Sequence, residues 1–203
     1  MAVIETQISQ PAAGLTPDSV VFFDGAFMPL AQATISVATH ALHYGTGCFE
    51  GIRAYWNEER SELYVLKLDE HVDRFFRSCA LLRIQPPFSR AEFADTILEV
   101  LRQNHFRSDV YIRPIAFKSS HTIKLTLSPL DNSFAVFAFA FGHYAHREGG
   151  LRVGLSTWRR IDDNAIPTRA KVTGSYVNAS LASDDATLVG YDEAIMLNGD
   201  GTL

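Results

Sequence analysis

Residues Ser61–Pro87, "SELYVLKLDEHVDRFFRSCALLRIQPP", change their periodicity part-way along. Ser61–Leu68 reads as a strand, rich in Leu, Tyr and Val. From Asp69 onward Val72, Phe75, Phe76, Cys79 and Leu82 recur at helical spacing, with Asp69 placed to cap the helix and Pro86-Pro87 to end it. A second helix follows at once. Ser89 and Glu92 have capping-box spacing, and Phe93, Ile97, Val100 and Leu101 make its inner side. Two helices in succession break the strict alternation of a doubly wound sheet, so the spacing predicts an α+β fold.

Strands flank this pair on both sides. Upstream, "VVFFDGAFMPL" (Val20–Leu30) predicts a hairpin with Asp24-Gly25 as a type I′ turn. Downstream, "DVYIRPIAF" (Asp109–Phe117) is strand-like, although Pro114 lacks an N–H and argues for an edge or a bulge. "HTIKLTLSPLDNS" (His121–Ser133) reads as a loop or loose hairpin, and "FAVFAFAF" (Phe134–Phe141) is the strongest strand signal in the chain. "HREGG" (His146–Gly150) is a polar break. The expected organisation is a flexible tail over 1–19, an α+β domain over 20–145, a linker over 146–160 and the start of a second domain over 161–203. The last part is expected to contain a short strand in "LRVGLSTW" (Leu151–Trp158) and a helix from about Tyr176 to Val189 ended by Gly190. At the end, Ala194–Leu197 resembles the first arm of a hairpin whose return strand has only begun, so the sequence is expected to be a fragment of a longer protein.

Hydrophobic residues at 47% and charged residues at 20% are ordinary for a soluble globular protein. A formal charge of -5 with interspersed signs gives no electrostatic reason to bind nucleic acid. No apolar run is long enough for a membrane helix, and the first residues lack the basic region and long apolar core of a secretory signal. Cys48 and Cys79 suggest no disulfide framework, and the expected location is a reducing cytoplasm.

Three stretches carry candidate chemistry. "THALHYGTGCFEGIRAY" (Thr39–Tyr55) concentrates His, Tyr, Gly, Glu and Arg. His40 and His43 lack the further ligands a metal needs, so no metal is expected, and the Lys-Ser/Thr ending of a phosphate loop is missing. Gly45, Gly47 and Gly51 suggest backbone running close to a ligand or to another strand, the plainest version being a bend in a sheet. "YIRP" (Tyr111–Pro114) puts a phenol and a guanidinium on one strand face, where they suit a carboxylate or merely line a polar edge. "IPTRAKVTGSY" (Ile166–Tyr176) holds one of only four lysines, set among small residues with a tyrosine five positions on. Most lysines are solvated surface groups, and so are most helix arginines such as Arg74.

Taken in order, "HALHYGTGCFEGIRAY", "HVDRF", "YIRP" and "IPTRAKVTGSY" strongly resemble the branched-chain-amino-acid aminotransferases of the fold-type IV, or class IV, pyridoxal-phosphate enzymes. The likeness runs from about Val20 to the last residue. It implies a two-domain fold-type IV architecture, with the N-terminal domain complete and the cofactor domain only begun. It implies pyridoxal 5'-phosphate as cofactor, covalently held by Lys171, whose amine acts first as nucleophile and then as base. Tyr176 is implied to bond the cofactor's phenolic oxygen and Arg74 its phosphate. Tyr44, Phe49, Gly51 and Tyr144 are implied to line the side-chain pocket, Tyr111 to hold the α-carboxylate, and Arg113 to take the distal carboxylate of glutamate or 2-oxoglutarate, with Arg53 supporting them. The implied reaction is ping-pong transfer of the amino group of Leu, Ile or Val to 2-oxoglutarate by a homodimer. The alternatives are a D-amino-acid or (R)-amine transaminase of the same fold, and a non-catalytic cofactor-binding protein. The family's glutamate that pairs with the pyridine nitrogen falls past Leu203, so this chain alone is expected to be inactive.

Overall fold

The structure, a computed structural model, describes residues 14–142 and 150–203. Residues 1–13 of the tail expected over 1–19, Tyr144, and residues 146–149 of the polar break lie outside the described residues.

The chain begins with the hairpin β1 (Val20–Phe23) and β2 (Ala26–Pro29). Asp24 and Gly25 have φ of 44° and 94°, the two left-handed positions that a type I′ turn needs. Helix α1 (His40–Tyr44), strands β3 (Gly47–Phe49), β4 (Ile52–Asn57) and β5 (Glu62–Val65), and helices α2 (Leu68–Leu81) and α3 (Arg90–Asn104) follow. Strands β6 (Val110–Lys118) and β7 (Asn132–Ala140) complete a seven-stranded sheet with the path β2-β1-β7-β6-β4-β5, and β3 also pairs with β6. The His121–Asp131 stretch is a loop, held to the rest by contacts that include a bridge between Thr39 and His121.

Two local expectations are corrected. Asp69 does not cap α2; Lys67 does, in the left-handed conformation, and Asp69 sits in the first turn, where its charge favours the positive end of the helix. Pro114 lies in the most central strand. One edge of β6 pairs with β7 throughout, and the other pairs with β4 at Val110–Ile112 and with β3 at Ile115–Phe117. Pro114 falls between those two partners, and its carbonyl accepts from the Glu50 N–H in the turn joining them. The missing N–H faces a break in the ladder, which is why a central strand tolerates it.

Helices α2 and α3 cover one face of the sheet. Val72, Phe75, Cys79, Phe93, Ile97 and Val100 are buried there against Ile52, Val110, Ile112 and Val136. The Phe75 and Phe93 rings stack 4.7 Å apart. Each such phenyl ring stabilises the fold by about 1.5–3 kcal/mol through burial alone. The capping box of α3 forms as its spacing predicts. The two-residue period of β6 sends Tyr111 and Arg113 to the face opposite Ile112, away from these helices.

Past residue 150 the chain makes β8 (Val153–Arg159), within the stretch assigned to the linker, then α4 (Tyr176–Leu188) and β9 (Glu193–Leu197). β9 pairs in parallel with β8, and α4 packs on both through Ala182 and Ala186. This is a strand-helix-strand crossover, and the Ile166–Tyr176 segment runs through it. Gly190 closes α4 with a φ of 89°. Among the described residues no helix is long and apolar enough to cross a membrane.

Candidate active site

The Ile166–Tyr176 segment is anchored by its backbone to both parts of the N-terminal sheet layer. The Lys171 N–H donates to Ser78 Oγ on α2 at 3.1 Å, and its carbonyl accepts from the Phe49 N–H on β3 at 3.0 Å. Val172 bridges to Cys48. Gly45, with a φ of 62°, lies against Gly174; a Cβ added to Gly45 would stand 2.6 Å from the Gly174 Cα. Thr173 Oγ1 donates to the Gly45 carbonyl at 2.9 Å. Gly45 therefore lets two backbones meet, the close approach between chain segments that is one of the uses the sequence leaves open.

This clamp leaves the Lys171 side chain free to project. Its Nζ donates to Tyr176 Oη at 2.6 Å. Both face a cavity of about 290 Å³ that is also lined by Arg74, Arg160, Arg169, Ser175, Asn178 and Met196. Asp163 pairs with Arg169, and Glu50 pairs with Arg74. Cations therefore predominate at the lining, with an amine and a phenol among them. Such a donor set suits an aldehyde that carries a phosphate: a nucleophilic amine for the carbonyl carbon, a phenol for a ring oxygen, and guanidinium groups for the dianion.

The Phe49 ring joins this set to the strand residues. It lies 4.8 Å from the Tyr176 ring, Lys171 Nζ stands 4.9 Å from its centroid, and the Arg113 guanidinium stands 4.3 Å from it. Arg113 Nη2 donates to Tyr111 Oη at 2.9 Å, as expected of neighbours on one strand face. Gly51 is held to glycine by the same phenol, because any Cβ there would overlap Tyr111 Oη. Phe49, Gly51, Tyr111, Arg113, Lys171 and Tyr176 thus form one constellation, with Arg74 at the cavity. Arg53 is placed beside it: its Nη2 donates to the carbonyls of Phe141 and Gly142, fixing the end of the β7 segment. Tyr44 is not brought to the Lys171 cavity. Its hydroxyl donates to the Ile123 carbonyl, and its ring packs on His40 and His43.

Glu50, Ser78, Arg160 and Asn178 are absent from the set that sequence reasoning selects. Ser78 carries a signal: it lies four residues after Arg74, on the same side of α2. Arg160 and Asn178 come to the cavity through the crossover geometry and leave no mark in local spacing.

The fully buried Glu50 changes what Arg74 does for the fold. Burial pushes its carboxyl up, but the Arg74 fork and the His71 ring bond lower it more, and the net pKa lies below the ordinary value. Arg74→Met leaves that carboxylate with His71 and the Gly51 N–H. Breaking a buried pair costs about 3–5 kcal/mol, and the low end applies because the Arg74 side chain is 43% exposed. The wild-type contribution is present above the unfolded carboxyl pKa and is lost as pH falls through the depressed folded value. In the variant, burial without the fork raises that pKa, so stability is lost as pH rises through it. Urea unfolding of the protein at the full length its gene encodes should show a deficit at pH 7 that narrows at pH 5. A constant deficit would mean that Glu50 is not the group responsible.

The lysine, phenol and cations meet at the junction of a seven-stranded sheet layer and a strand-helix-strand unit, where the chemistry of the donor set suits a phosphorylated aldehyde. Residues 47–203 match the family described as amino-transferase class IV, and the chain belongs to that family. Within it, the chain is 45% identical over 182 residues to a protein of Aquifex aeolicus named "Probable branched-chain-amino-acid aminotransferase", covering 89% of this chain and 58% of that one. A branched-chain aminotransferase of Thermoproteus uzoniensis with norvaline superimposes with a TM-score of 0.85 at 41% identity, covering 90% of this chain and 60% of that one. The branched-chain amino acid aminotransferase of Thermobaculum terrenum in its PLP-form gives 0.83 at 28% identity, covering 91% and 60%. The chain thus spans about 60% of the length of the relatives it matches.

Proposed function

We propose that the full-length protein is a pyridoxal-phosphate-dependent transaminase that moves the amino group of branched-chain L-amino acids to 2-oxoglutarate by a ping-pong mechanism. The observation that carries this reading is the 2.6 Å contact between Lys171 Nζ and Tyr176 Oη at a cavity lined by Arg74, Arg160 and Arg169. The names of the relatives support the substrate class. When bound, the cofactor supplies the electron sink that stabilises a carbanion at the substrate's α-carbon. Lys171 is the base that takes and returns the α-proton, and the Tyr176 hydroxyl orients its amine. Arg74 and Arg160 hold the phosphate. Phe49 offers an apolar surface to Leu, Ile and Val side chains. Tyr111 binds the α-carboxylate, and Arg113 binds the distal carboxylate of the acceptor. The same reading includes pairing with a second copy: Val37, Leu42, Ile123 and Leu125 are exposed apolar residues near α1 and the loop after β6, and association would cover them. The test is amino transfer by the full-length protein with L-leucine, D-leucine and an (R)-amine as donors and 2-oxoglutarate as acceptor. Glutamate should form with L-leucine. Transfer from D-leucine or the (R)-amine in preference would overturn the substrate assignment, and no transfer from any donor would overturn the enzymatic one.

A further inference from the structure

Glu50 sits in the turn between β3 and β4, directly between Phe49 and Gly51. Its side chain is completely buried. Oε1 accepts from Arg74 Nε and Oε2 from Arg74 Nη2, both at 2.6 Å. Oε2 also meets His71 Nδ1 at 2.9 Å and the Gly51 N–H at 3.3 Å. The Arg74 side chain by contrast is 43% exposed and lines the Lys171 cavity. The pair is therefore asymmetric: its anion is sealed under the turn, and its cation stands at the cavity wall. Among the described residues Arg74 Nη1 has no hydrogen-bond partner.

We propose that Glu50 is a positioning residue that fixes the Arg74 guanidinium, so that its unused edge is presented to the phosphate of a ligand bound at Lys171. A free arginine on a helix surface samples many rotamers, whereas a fork held through Nε and one Nη has its plane and direction set. Glu50 also belongs to the turn that carries Phe49 and Gly51, and its own N–H is bonded to the Pro114 carbonyl. The anchor of the phosphate-facing cation and the wall of the substrate pocket are thus one piece of backbone. The Glu50 charge opposes this role, because it partly neutralises Arg74 and repels an anion. Orientation outweighs it: the carboxylate stands behind the guanidinium, and the free edge makes direct contact. The inference rests on the proposed pyridoxal-phosphate reading.

Glu50→Gln tests it. An amide keeps the volume but sets an NH₂ donor against one of the two Arg74 N–H donors, so the fork cannot close and the guanidinium swings to solvent. Pyridoxal phosphate and pyridoxal, which lacks the phosphate, are titrated into full-length wild type and variant, with binding followed by absorbance. Pyridoxal phosphate affinity should fall about tenfold in the variant and pyridoxal affinity should not change. Arg74→Lys is the second variant. It keeps the charge, leaves Glu50 paired and cannot form the fork, and it should show the same phosphate-specific loss. Equal losses for both ligands would reduce Glu50 to a structural anchor and overturn the proposal. Unchanged or tighter pyridoxal phosphate binding would also overturn it, by making Glu50 a brake on the cation. Wild type that fails to bind pyridoxal phosphate would defeat the cofactor reading itself, an outcome distinct from the others.

Discussion

Lys171→Ala in the full-length protein is expected to abolish amino transfer, with turnover falling by at least about 10³–10⁴-fold, while the fold persists. The rate loss follows from removing the group proposed to act as both nucleophile and base. The persistence of the fold follows from how the residue is held. Its N–H is bonded to Ser78 Oγ and its carbonyl to the Phe49 N–H, and the neighbouring Ala170 and Val172 are each 5% exposed. Alanine keeps every one of those contacts. The other three lysines are engaged elsewhere. Lys118 is buried, with its Nζ donating to the Arg83 carbonyl and to Asn132 Oδ1. Lys67 pairs with Glu70 on the surface, and Lys124 lies in the loop after β6. Borohydride treatment of the wild-type protein with pyridoxal phosphate, followed by peptide mapping, should place the reduced cofactor on Lys171. Recovery on Lys67, Lys118 or Lys124 would sink the assignment, and an active Lys171→Ala protein would sink the mechanism.

The α2–α3 pair is legible in the sequence because its signals are local. Helical spacing and a capping box are each settled within a few residues, and the stripe Val72, Phe75, Cys79 is buried as its spacing predicts, although α2 ends at Leu81 and a left-handed Arg83, ahead of Pro86-Pro87. Pro114 defeats local reasoning because the features that excuse it lie far off along the chain, in the turn between β3 and β4. The same limit governs the site. Lys171 with Tyr176, and Tyr111 with Arg113, are near in sequence and readable as pairs. Their meeting at Phe49 depends on sheet register and on the crossover through β8, α4 and β9, which no local pattern encodes. Glu50 lies inside a conspicuous motif, yet nothing in sequence shows that a glutamate between Phe49 and Gly51 turns inward beneath Arg74. Tyr44 shares that cluster, yet its hydroxyl bonds the Ile123 carbonyl on the loop after β6, a partner no local spacing announces.

Arg113→Met should separate the two half-reactions. Methionine keeps much of the side-chain length and lacks the charge. The substitution should also spare the fold, because Arg113 Nε is buried without a hydrogen-bond partner and its removal takes an unsatisfied donor out of the interior. Tyr111 loses one bond, but its ring remains held by Phe139 and Phe141 at 5.5 and 5.6 Å and by the close fit against Gly51. Tyr111, the proposed partner of the α-carboxylate, therefore stays in place. Leucine has no distal charge, so its deamination should be nearly unchanged. 2-Oxoglutarate has a second carboxylate, and the Arg113 guanidinium and Lys171 Nζ both pack on the Phe49 ring, at 4.3 and 4.9 Å from its centroid. Loss of a charge-assisted fork to that carboxylate costs about 2–4 kcal/mol in transition-state binding, which slows amination of the acceptor by roughly a hundredfold. Single-turnover kinetics of each half-reaction measure the two effects separately. Equal losses in both would move Arg113 to the α-carboxylate or to support of Tyr111. No loss in either would mean that the guanidinium only packs on Phe49, and the acceptor's second charge would then have to be met by another cation at the cavity, for which Arg160 is the candidate because no carboxylate pairs with it among the described residues.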